Sequence, residues 1–249
     1  MRGGAASGVG RHAGWGRHAR WGGMRGGGGK IEAMSIPELS STDRTVLRRH
    51  RERGLSDRVE LYAVLDAGLI CHLGVIAGGA PRVLPTGYGR SGDTMYLHGS
   101  SANATIWAGD GQEVCVTVTH LDALVCARSV FNHSMNYRSA MIYGVARMVT
   151  DPAAKTEALR VITEHLTPGQ WGYAREPSAK ELAATSVLEL PLDEASVKIR
   201  AAGPSDEPED YDRDVWAGVV PVTVSFGPPE PDEALRPGIA TPAHITDRR

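Results

Sequence analysis

The chain has 249 residues, of which 41% are hydrophobic and 22% are charged, and its formal net charge is −2 at pH 7. This size suits one hydrophobic core of ordinary dimensions, and the sequence shows short strands more often than long helices. The mildly acidic body gives no support for nucleic-acid binding. No run of about 18 apolar residues and no secretory signal is present, so we expect a soluble, cytoplasmic protein with no membrane partner.

The two ends differ in composition from the rest of the chain. Residues 1–33 contain 12 glycines and six Lys or Arg against one Glu, and residues 228–249 are rich in proline. Neither segment has enough apolar residues to fold, so we expect disordered tails around a single domain at residues 34–227. Two interpretations of the first tail stay open: a basic arm whose Trp15 and Trp21 stack on bases, or untranslated sequence before a start at Met34.

The first half of the domain predicts two helices followed by a meander of strands. The helices lie between residues 41 and 68, are broken at Gly54, and the second is capped by Ser56. Strands are then predicted at 69–76, 82–88 and 94–98, with a short helix at 101–108. Such a meander is typical of a small barrel.

The second half contains the strand around which the domain is organised. From Ser139 onward the side chains alternate in a way that predicts a central strand buried on both faces, within residues 134–148. Before it we expect strands at 113–119 and 124–128 with a turn at 120–122. After it we expect a helix at 152–166 and strands at 186–192 and 196–200.

The three cysteines, Cys71, Cys115 and Cys126, fall inside predicted strands and have no CxxC spacing. We interpret them as small core residues, with a reactive thiol as the alternative. No metal site is predicted, because His98, His120 and His133 show no local zinc-ligand spacing.

Four segments together carry a resemblance to a known family. They read R-V-L-P-T-G-Y, M-Y-L-H-G-S, Y-R-S-A-M-I-Y-G-V-A-R and T-S-V-L-E-L-P-L-D-E-A-S-V-K-I-R. In this order they resemble the FMN-binding split-barrel superfamily, which includes the pyridoxamine 5'-phosphate oxidases, and most of all its nitroimidazole-resistance-protein-like branch. The resemblance implies a mainly β fold, a six-stranded Greek-key split barrel with peripheral α-helices, that forms a homodimer with flavins in clefts between the subunits.

The resemblance also implies a set of cofactor-binding residues. The strand beside the flavin ring is expected to contribute Val83, Leu84, Pro85 and Thr86. The segment at the phosphate is expected to contribute His98, Gly99, Ser100, Ser101, Asn103 and Thr105, with the start of the following helix attracting the anion.

The sequence departs from the family at the phosphate. The family has basic residues where this chain reads Asn103-Ala104-Thr105. The missing charge is expected to come from Arg138, flanked by Tyr137 and Ser139, or from Lys198 and Arg200. An alternative is that Arg138 only pairs with an acidic residue across the dimer interface.

His98 is the candidate catalytic residue, because an imidazole at the end of a strand can donate to a flavin carbonyl or protonate a reduced substrate. The alternative is that it only caps its strand. His72, inside an apolar strand, is interpreted as a core or cleft-wall histidine.

These observations predict an FMN-binding oxidoreductase that acts on a small-molecule substrate. The alternatives are a flavin-binding protein without turnover, or a split-barrel protein that uses F420 or heme. We expect a second copy to cover Val125, Val130, Phe131 and Met135.

Overall fold

The structure is a computed structural model that describes residues 38–248 of the chain. The first tail, residues 1–33 with Trp15 and Trp21, and the proposed start at Met34 lie outside the described residues. In the described part the strands are β1 (Gly54–Leu55), β2 (Ile70–Ala77), β3 (Ala80–Ser91), β4 (Thr94–Ser100), β5 (Glu113–Cys126), β6 (Ser134–Val145), β7 (Arg147–Met148), β8 (Thr185–Pro191), β9 (Glu194–Arg200) and β10 (Gly218–Pro221). The helices are α1 (Arg58–Ala67), α2 (Ala104–Ala108), α3 (Pro152–Leu166), α4 (Gln170–Tyr173), α5 (Ala179–Ala183) and α6 (Ala243–Thr246).

The described strands form one antiparallel sheet in the order β1-β9-β6-β5-β2-β3-β4-β8-β7, with β10 also paired to β5. The sheet is not closed by hydrogen bonds between its end strands. The predicted mainly β split-barrel fold with peripheral helices is confirmed. Three of the strands beyond the predicted six are short additions, β1 and β7 at the two ends of the strand order and β10 on β5, and each is too short to show a hydrophobic pattern of its own.

The core lies on one face of this sheet and follows from the alternation of side chains along the strands. Leu73 of β2, Val116 of β5 and Ile142 of β6 sit side by side in the pairing register and are fully buried. Tyr88 of β3 is also fully buried, and its hydroxyl donates to the carbonyl of Leu65 in α1 at 2.5 Å. Helix α1 therefore covers the core face.

Helix α3 packs against the β3–β4 part of the sheet. Asp151 caps its N-terminus by accepting from the Ala154 N–H, and Pro152 occupies its first turn, so its bounds agree with the predicted 152–166. The helix backbone approaches Gly89 of β3 so closely that a Cβ at this position would lie 2.8 Å from backbone atoms of Val161 and Ile162.

Three predicted features differ from the structure. Residues 41–50 form turns, followed by a 3-10 turn at Arg51–Arg53, instead of a helix, and α1 is capped by Asp57, not Ser56. The two predicted strands at 113–119 and 124–128 form the continuous strand β5, because His120 and Leu121 stay paired to β6, Asp122 alone is skipped, and pairing resumes at Ala123. Strand β6 is central, yet only the face that carries Ala140 and Ile142 is buried.

The segment after β9 returns across the molecule to the helices. Asp206 accepts hydrogen bonds from the N–H groups of Arg128 and Ser129, at 2.9 to 3.1 Å, and so ties this segment to the end of β5. Further along, His244 of α6 contacts Tyr173 of α4. The looseness expected for residues 228–249 stays a prediction.

Candidate functional site

The sheet divides where β3 leaves β4. β3 pairs with β2 from Ala80 to Gly87, but it pairs with β4 only from Tyr88 to Ser91. Along 81–86 its second edge therefore carries no strand in the described structure and leaves backbone groups unpaired, although Pro81 and Pro85 have no N–H to donate. The Thr86 hydroxyl donates to the carbonyl of His98 at 3.2 Å and bridges the two strands at the point of division. We call this gap, between residues 82–86 and 98–101, the strand cleft.

The predicted ring-facing residues lie along this free edge. Val83 is 67% exposed, and Leu84, Pro85 and Thr86 continue the strand toward the bridge to His98. A cavity of about 300 Å³ adjoins the outer end of the edge and is lined by Arg82, Val83, Gly74, Ile76, Cys115 and Tyr143, among others. The structure thus gathers these residues on one open strand edge.

His98 is half-buried near the end of β4. Its Nδ1 is buried and has no hydrogen-bond partner among the described residues. Burial lowers the pKa of His98, because the imidazolium loses water of solvation. The ring is therefore neutral near pH 7, with one nitrogen able to donate and the other able to accept. An orphaned polar atom of this kind suits a ligand with polar groups at its edge.

The segment after His98 uses many of its backbone donors internally. The Ser101 N–H donates to the Ala184 carbonyl, the Ala102 N–H to Ser100 Oγ, and the Thr105 N–H to Asn103 Oδ1. Helix α2 has only five residues, and this capping satisfies its first turn, so it adds little attraction for an anion. The Ser101 and Thr105 hydroxyls make no hydrogen bond within the described residues, so side chains remain as donors here.

A cation that the sequence did not single out lies beside this segment. Lys155 of α3 donates through Nζ to the carbonyls of Leu182 and Thr185, at 3.4 and 3.2 Å. Thr185 is the pairing partner of Ser100. An ammonium has three donors, so one is left for a ligand. The only signal in the sequence is a lone lysine in the first turn of an amphipathic helix, which does not distinguish it from a surface lysine.

The other predicted cations lie elsewhere in the sheet. Arg138 of β6 forms a bidentate ion pair with Asp122 within the same chain, with Nη2 to Oδ1 at 2.8 Å, and this pair raises the pKa of Arg138. Arg200 of β9 is buried and donates to Asn136 Oδ1 and to the Ala202 and Gly203 carbonyls. Its guanidinium thus holds the turn that follows β9.

Tyr137, Ser139 and Lys198 accompany these arginines. Tyr137 pairs with Arg200, and Ser139 pairs with Lys198 in the register of β6 and β9. Lys198 makes no ion pair with the described carboxylates. At a spacing of about 4.8 Å per strand, β6 and β9 are about 14 and 19 Å from β3. One chain therefore places the predicted residues in two separate groups.

His72 is not the core histidine that was one of its two interpretations, and its other interpretation, as a residue of the cleft wall, stays a prediction. It lies on the outer face of β2, is exposed, and has no hydrogen bond within the described structure. The core face of this strand carries Cys71 and Leu73 instead. Cys71 is buried as predicted, and burial raises the pKa of its thiol to about 12, so it is unreactive near neutral pH.

A comparison with family models decides the family. The model described as pyridoxamine 5'-phosphate oxidase matches residues 57–199. The chain belongs to this family. The predicted resemblance is thereby confirmed, and the family match covers α1 and nearly all of the sheet, including the strand cleft.

Two solved structures of relatives are similar over most of the chain. The flavocytochrome Anf3 from Azotobacter vinelandii is 42% identical, with a TM-score of 0.81, over 86% of this chain and 99% of that protein. The FAD and heme binding protein from Mycobacterium smegmatis is 33% identical, with a TM-score of 0.76, over 79% of this chain and 97% of that protein.

A third likeness concerns the fold alone. A candidate 5-nitroimidazole antibiotic resistance protein from Bacteroides thetaiotaomicron is 24% identical, with a TM-score of 0.51, over 59% of this chain and 86% of that protein. No curated protein matches the sequence. Among the helices of residues 38–248, none is both long and apolar enough to cross a membrane.

Proposed function

We propose that this family member is a redox protein that binds a flavin, with FAD in place of the FMN expected from the sequence, and that it also binds heme. The observation that carries the proposal is the 42% identity, over 86% of this chain and 99% of the other, to a protein described as a flavocytochrome. The second relative, described as an FAD and heme binding protein, supports the same pair of cofactors.

The strand cleft suits a flavin. A flavin ring presents hydrogen-bonding groups along one edge and an apolar face, and the free edge of β3 over residues 81–86 offers backbone carbonyls and the N–H groups of its residues other than Pro81 and Pro85. The backbone carbonyl of His98 accepts from Thr86 at the closed end of this cleft, and the His98 side chain has a buried Nδ1 without a partner among the described residues. These groups would hold the ring, while Lys155 and the hydroxyls of Ser101 and Thr105 would hold a phosphate.

The protein's own residues would orient and tune the cofactor. When bound, a flavin supplies hydride or single-electron transfer, and the protein supplies position and electrostatics. His98 is kept neutral by burial, so it can donate a proton in a hydrogen bond without adding a positive charge. The Thr86 hydroxyl donates a hydrogen bond to the backbone carbonyl of His98 and so fixes the position of that strand end. We propose a small molecule as the electron donor or acceptor.

The test is an absorption spectrum of the full chain, recorded as purified and after addition of hemin, with the released flavin identified by chromatography. We expect flavin bands, FAD as the released flavin, and a Soret band that saturates at one heme per chain. Release of FMN would return the flavin to the identity expected from the sequence. A deazaflavin spectrum, or a protein that binds neither flavin nor heme, would contradict the proposal.

A further inference from the structure

We propose that the heme site of this protein is the cavity between the C-terminal segment and the ends of α1 and α3, with the iron held by His165 or His244. The cavity has a volume of about 610 Å³. We call it the C-terminal cavity. It is lined by Asp66, Ala67, Leu69, His165, Pro168, Val224, Phe226, His244, Asp247 and Arg248. This inference rests on the proposed heme binding and adds the place and the ligands.

The volume and chemistry of the cavity fit a large, flat, mostly apolar ligand with acidic groups. Sites for ligands of this size commonly have about 300–1,000 Å³ and combine apolar walls with a few polar groups. Here Leu69, Pro168, Val224 and Phe226 supply the apolar walls. Two imidazoles and one guanidinium are the polar groups that heme would use; of the two carboxylates in the lining, Asp66 is neutralised by its ion pair with Arg90, and Asp247 is the other.

One wall of the C-terminal cavity is formed by a segment that follows the residues matched by the family model. The family model ends at residue 199, whereas Val224, Phe226, His244 and Arg248 all follow it. The match to the flavocytochrome spans 86% of the chain. Even if it began at residue 1, a match of that length would extend beyond residue 199. That relative therefore shares at least part of the segment that the family model omits. This segment lies outside the family model, is shared at least in part with that relative, and forms one wall of the cavity, which favours this place for the additional cofactor.

His165 is positioned as a metal-binding imidazole commonly is. Its Nε2 lies 2.6 Å from the carbonyl oxygen of Gly68, and its ring packs 4.8 Å from that of the buried Tyr88. Imidazoles that bind a metal usually donate their other N–H to a carbonyl or carboxylate, which fixes the ring and its tautomer. The bond to Gly68 leaves the second nitrogen of His165 for a ligand.

His244 is the second imidazole of the cavity and is held more loosely. Its Nε2 lies 2.9 Å from Oε1 of Gln170, and its ring meets the edge of Tyr173. A side-chain amide can turn away without leaving its helix, so Nε2 can be released to a ligand. A single imidazole suffices for the iron, as in globins and peroxidases.

Arg248 provides a cation for the carboxylates of heme. Its guanidinium stacks on Phe226 at 4.1 Å, and it donates to Thr167 Oγ1 at 3.2 Å and to the Leu166 carbonyl. None of the described carboxylates pairs with it. Guanidinium groups bind carboxylates in a planar, bidentate way, and a stacked one is held ready for this contact.

The other described imidazoles fit less well. Each of three others has a hydrogen-bond partner: Glu52 for His50, the Val64 carbonyl for His120 and the Ser129 carbonyl for His133. None of the three lines the C-terminal cavity. His98 belongs to the strand cleft. His72 has no hydrogen bond within the described structure and lies on the outer face of the sheet, away from the C-terminal cavity. It is therefore the control for heme that binds to a histidine outside this cavity.

The experiment titrates hemin into the full-length wild type and into His165→Ala, His244→Ala, the double variant, Arg248→Glu and His72→Ala, and follows the Soret band. We expect at least one single His variant and the double variant to lose the wild-type Soret band and to weaken heme binding at least tenfold. Added imidazole should restore the band in the variant that lacks the ligand, because it replaces the missing group. Arg248→Glu should weaken binding with an unchanged band position, and His72→Ala should behave as wild type.

Flavin binding and far-ultraviolet circular dichroism of each variant show whether it is folded. Wild-type heme affinity in the folded double variant would overturn the inference, as would loss of heme in His72→Ala alone. A wild type that binds no hemin would instead defeat the proposed heme function itself, so the two failures are distinguishable.

Discussion

We propose that Lys155 takes the place of the basic residues that the family is expected to have after β4 and that this chain lacks. Its ammonium donates to the carbonyls of Leu182 and Thr185. Thr185 is the residue that pairs with Ser100 in the sheet. We predict that Lys155→Met weakens binding of FAD and of FMN about tenfold to a hundredfold, because a hydrogen bond to a charged group contributes about 1.5–3 kcal/mol. Riboflavin, which has no phosphate, should bind nearly as before.

Isothermal titration of the three flavins measures this difference directly. Lys180→Met is the matched control, because Lys180 is an exposed lysine on α5 with no hydrogen bond or ion pair in the described structure. Equal losses of affinity for riboflavin and FAD in Lys155→Met would mean that Lys155 does not contact the phosphate and only stabilises the backbone through the Leu182 and Thr185 carbonyls. No loss for any flavin would place the phosphate elsewhere.

The residues of the site were easier to predict from the sequence than the groups with which they form hydrogen bonds or ion pairs. Thr86 and the His98 backbone meet because they lie on consecutive strands, β3 and β4, that a meander pairs side by side. Arg138 was expected to bind a ligand, but it is paired with Asp122, a carboxylate on the neighbouring strand β5. That contact depends on the register of β5 against β6, and the irregularity after Leu121 sets this register. A single sequence does not specify it.

At the scale of elements, the contact between α3 and β3 depends on Gly89. Its φ does not require glycine, but a Cβ would lie 2.8 Å from the Ile162 Cα and N and from the Val161 carbonyl oxygen. These are backbone atoms of a helix and move only if α3 moves. We predict that Gly89→Ala destabilises the protein by about 1–3 kcal/mol through overpacking, which lowers the melting temperature by about 2–4 °C per kcal/mol for a domain of this size.

Thermal unfolding followed by circular dichroism checks this prediction. Gly172→Ala in α4 is the control, because nothing lies within 4 Å of a Cβ built there, and alanine favours a helix. It should be neutral or stabilising by up to about 1 kcal/mol. A Gly89→Ala protein as stable as wild type would show that α3 does not rest on this strand.

Elements with a strong local signal were predicted well, and the others were not. Helix α3 has a capping Asp151, Pro152 and an apolar face, and its bounds agree with the prediction. The segment before α1 is rich in arginine and has little apolar face, and it forms turns fixed by distant contacts, such as that of Arg44 with Glu194. Strand β5 looked like two strands because its middle is polar, yet its pairing continues.

On the scale of the whole molecule, the outer face of the sheet is apolar and open. Ile70, Ile76 and Val83 are 58%, 63% and 67% exposed, and Met141 lies on the same face of β6. This explains why β6 reads as buried on both faces although only one is covered within the chain. Exposed apolar surface of this kind commonly marks an interface.

A second copy would also resolve the separation between the two groups of predicted site residues. Lys198 and Ser139 lie about 14 to 19 Å from β3 within one chain. An isologous two-fold interface repeats each surface on both subunits, so it can bring the β6–β9 group of one chain to the strand cleft of the other. The interface residues expected from the sequence were at the tip of the β5–β6 hairpin. Val130 and Phe131 are indeed exposed there, whereas Val125 is buried within the chain and is not available to a partner.

We therefore predict a homodimer formed through the outer sheet face, burying more than about 1,000 Å². Met141→Lys places a charge in that interface and should shift the protein to monomers in sedimentation velocity at micromolar concentration, with fewer flavins retained per chain. Phe131→Asp is the comparison, because it charges the hairpin tip instead and should leave the dimer intact. Dissociation by Phe131→Asp but not by Met141→Lys would move the interface to the tip, and a wild type that sediments as a monomer would contradict both arrangements and the shared cleft.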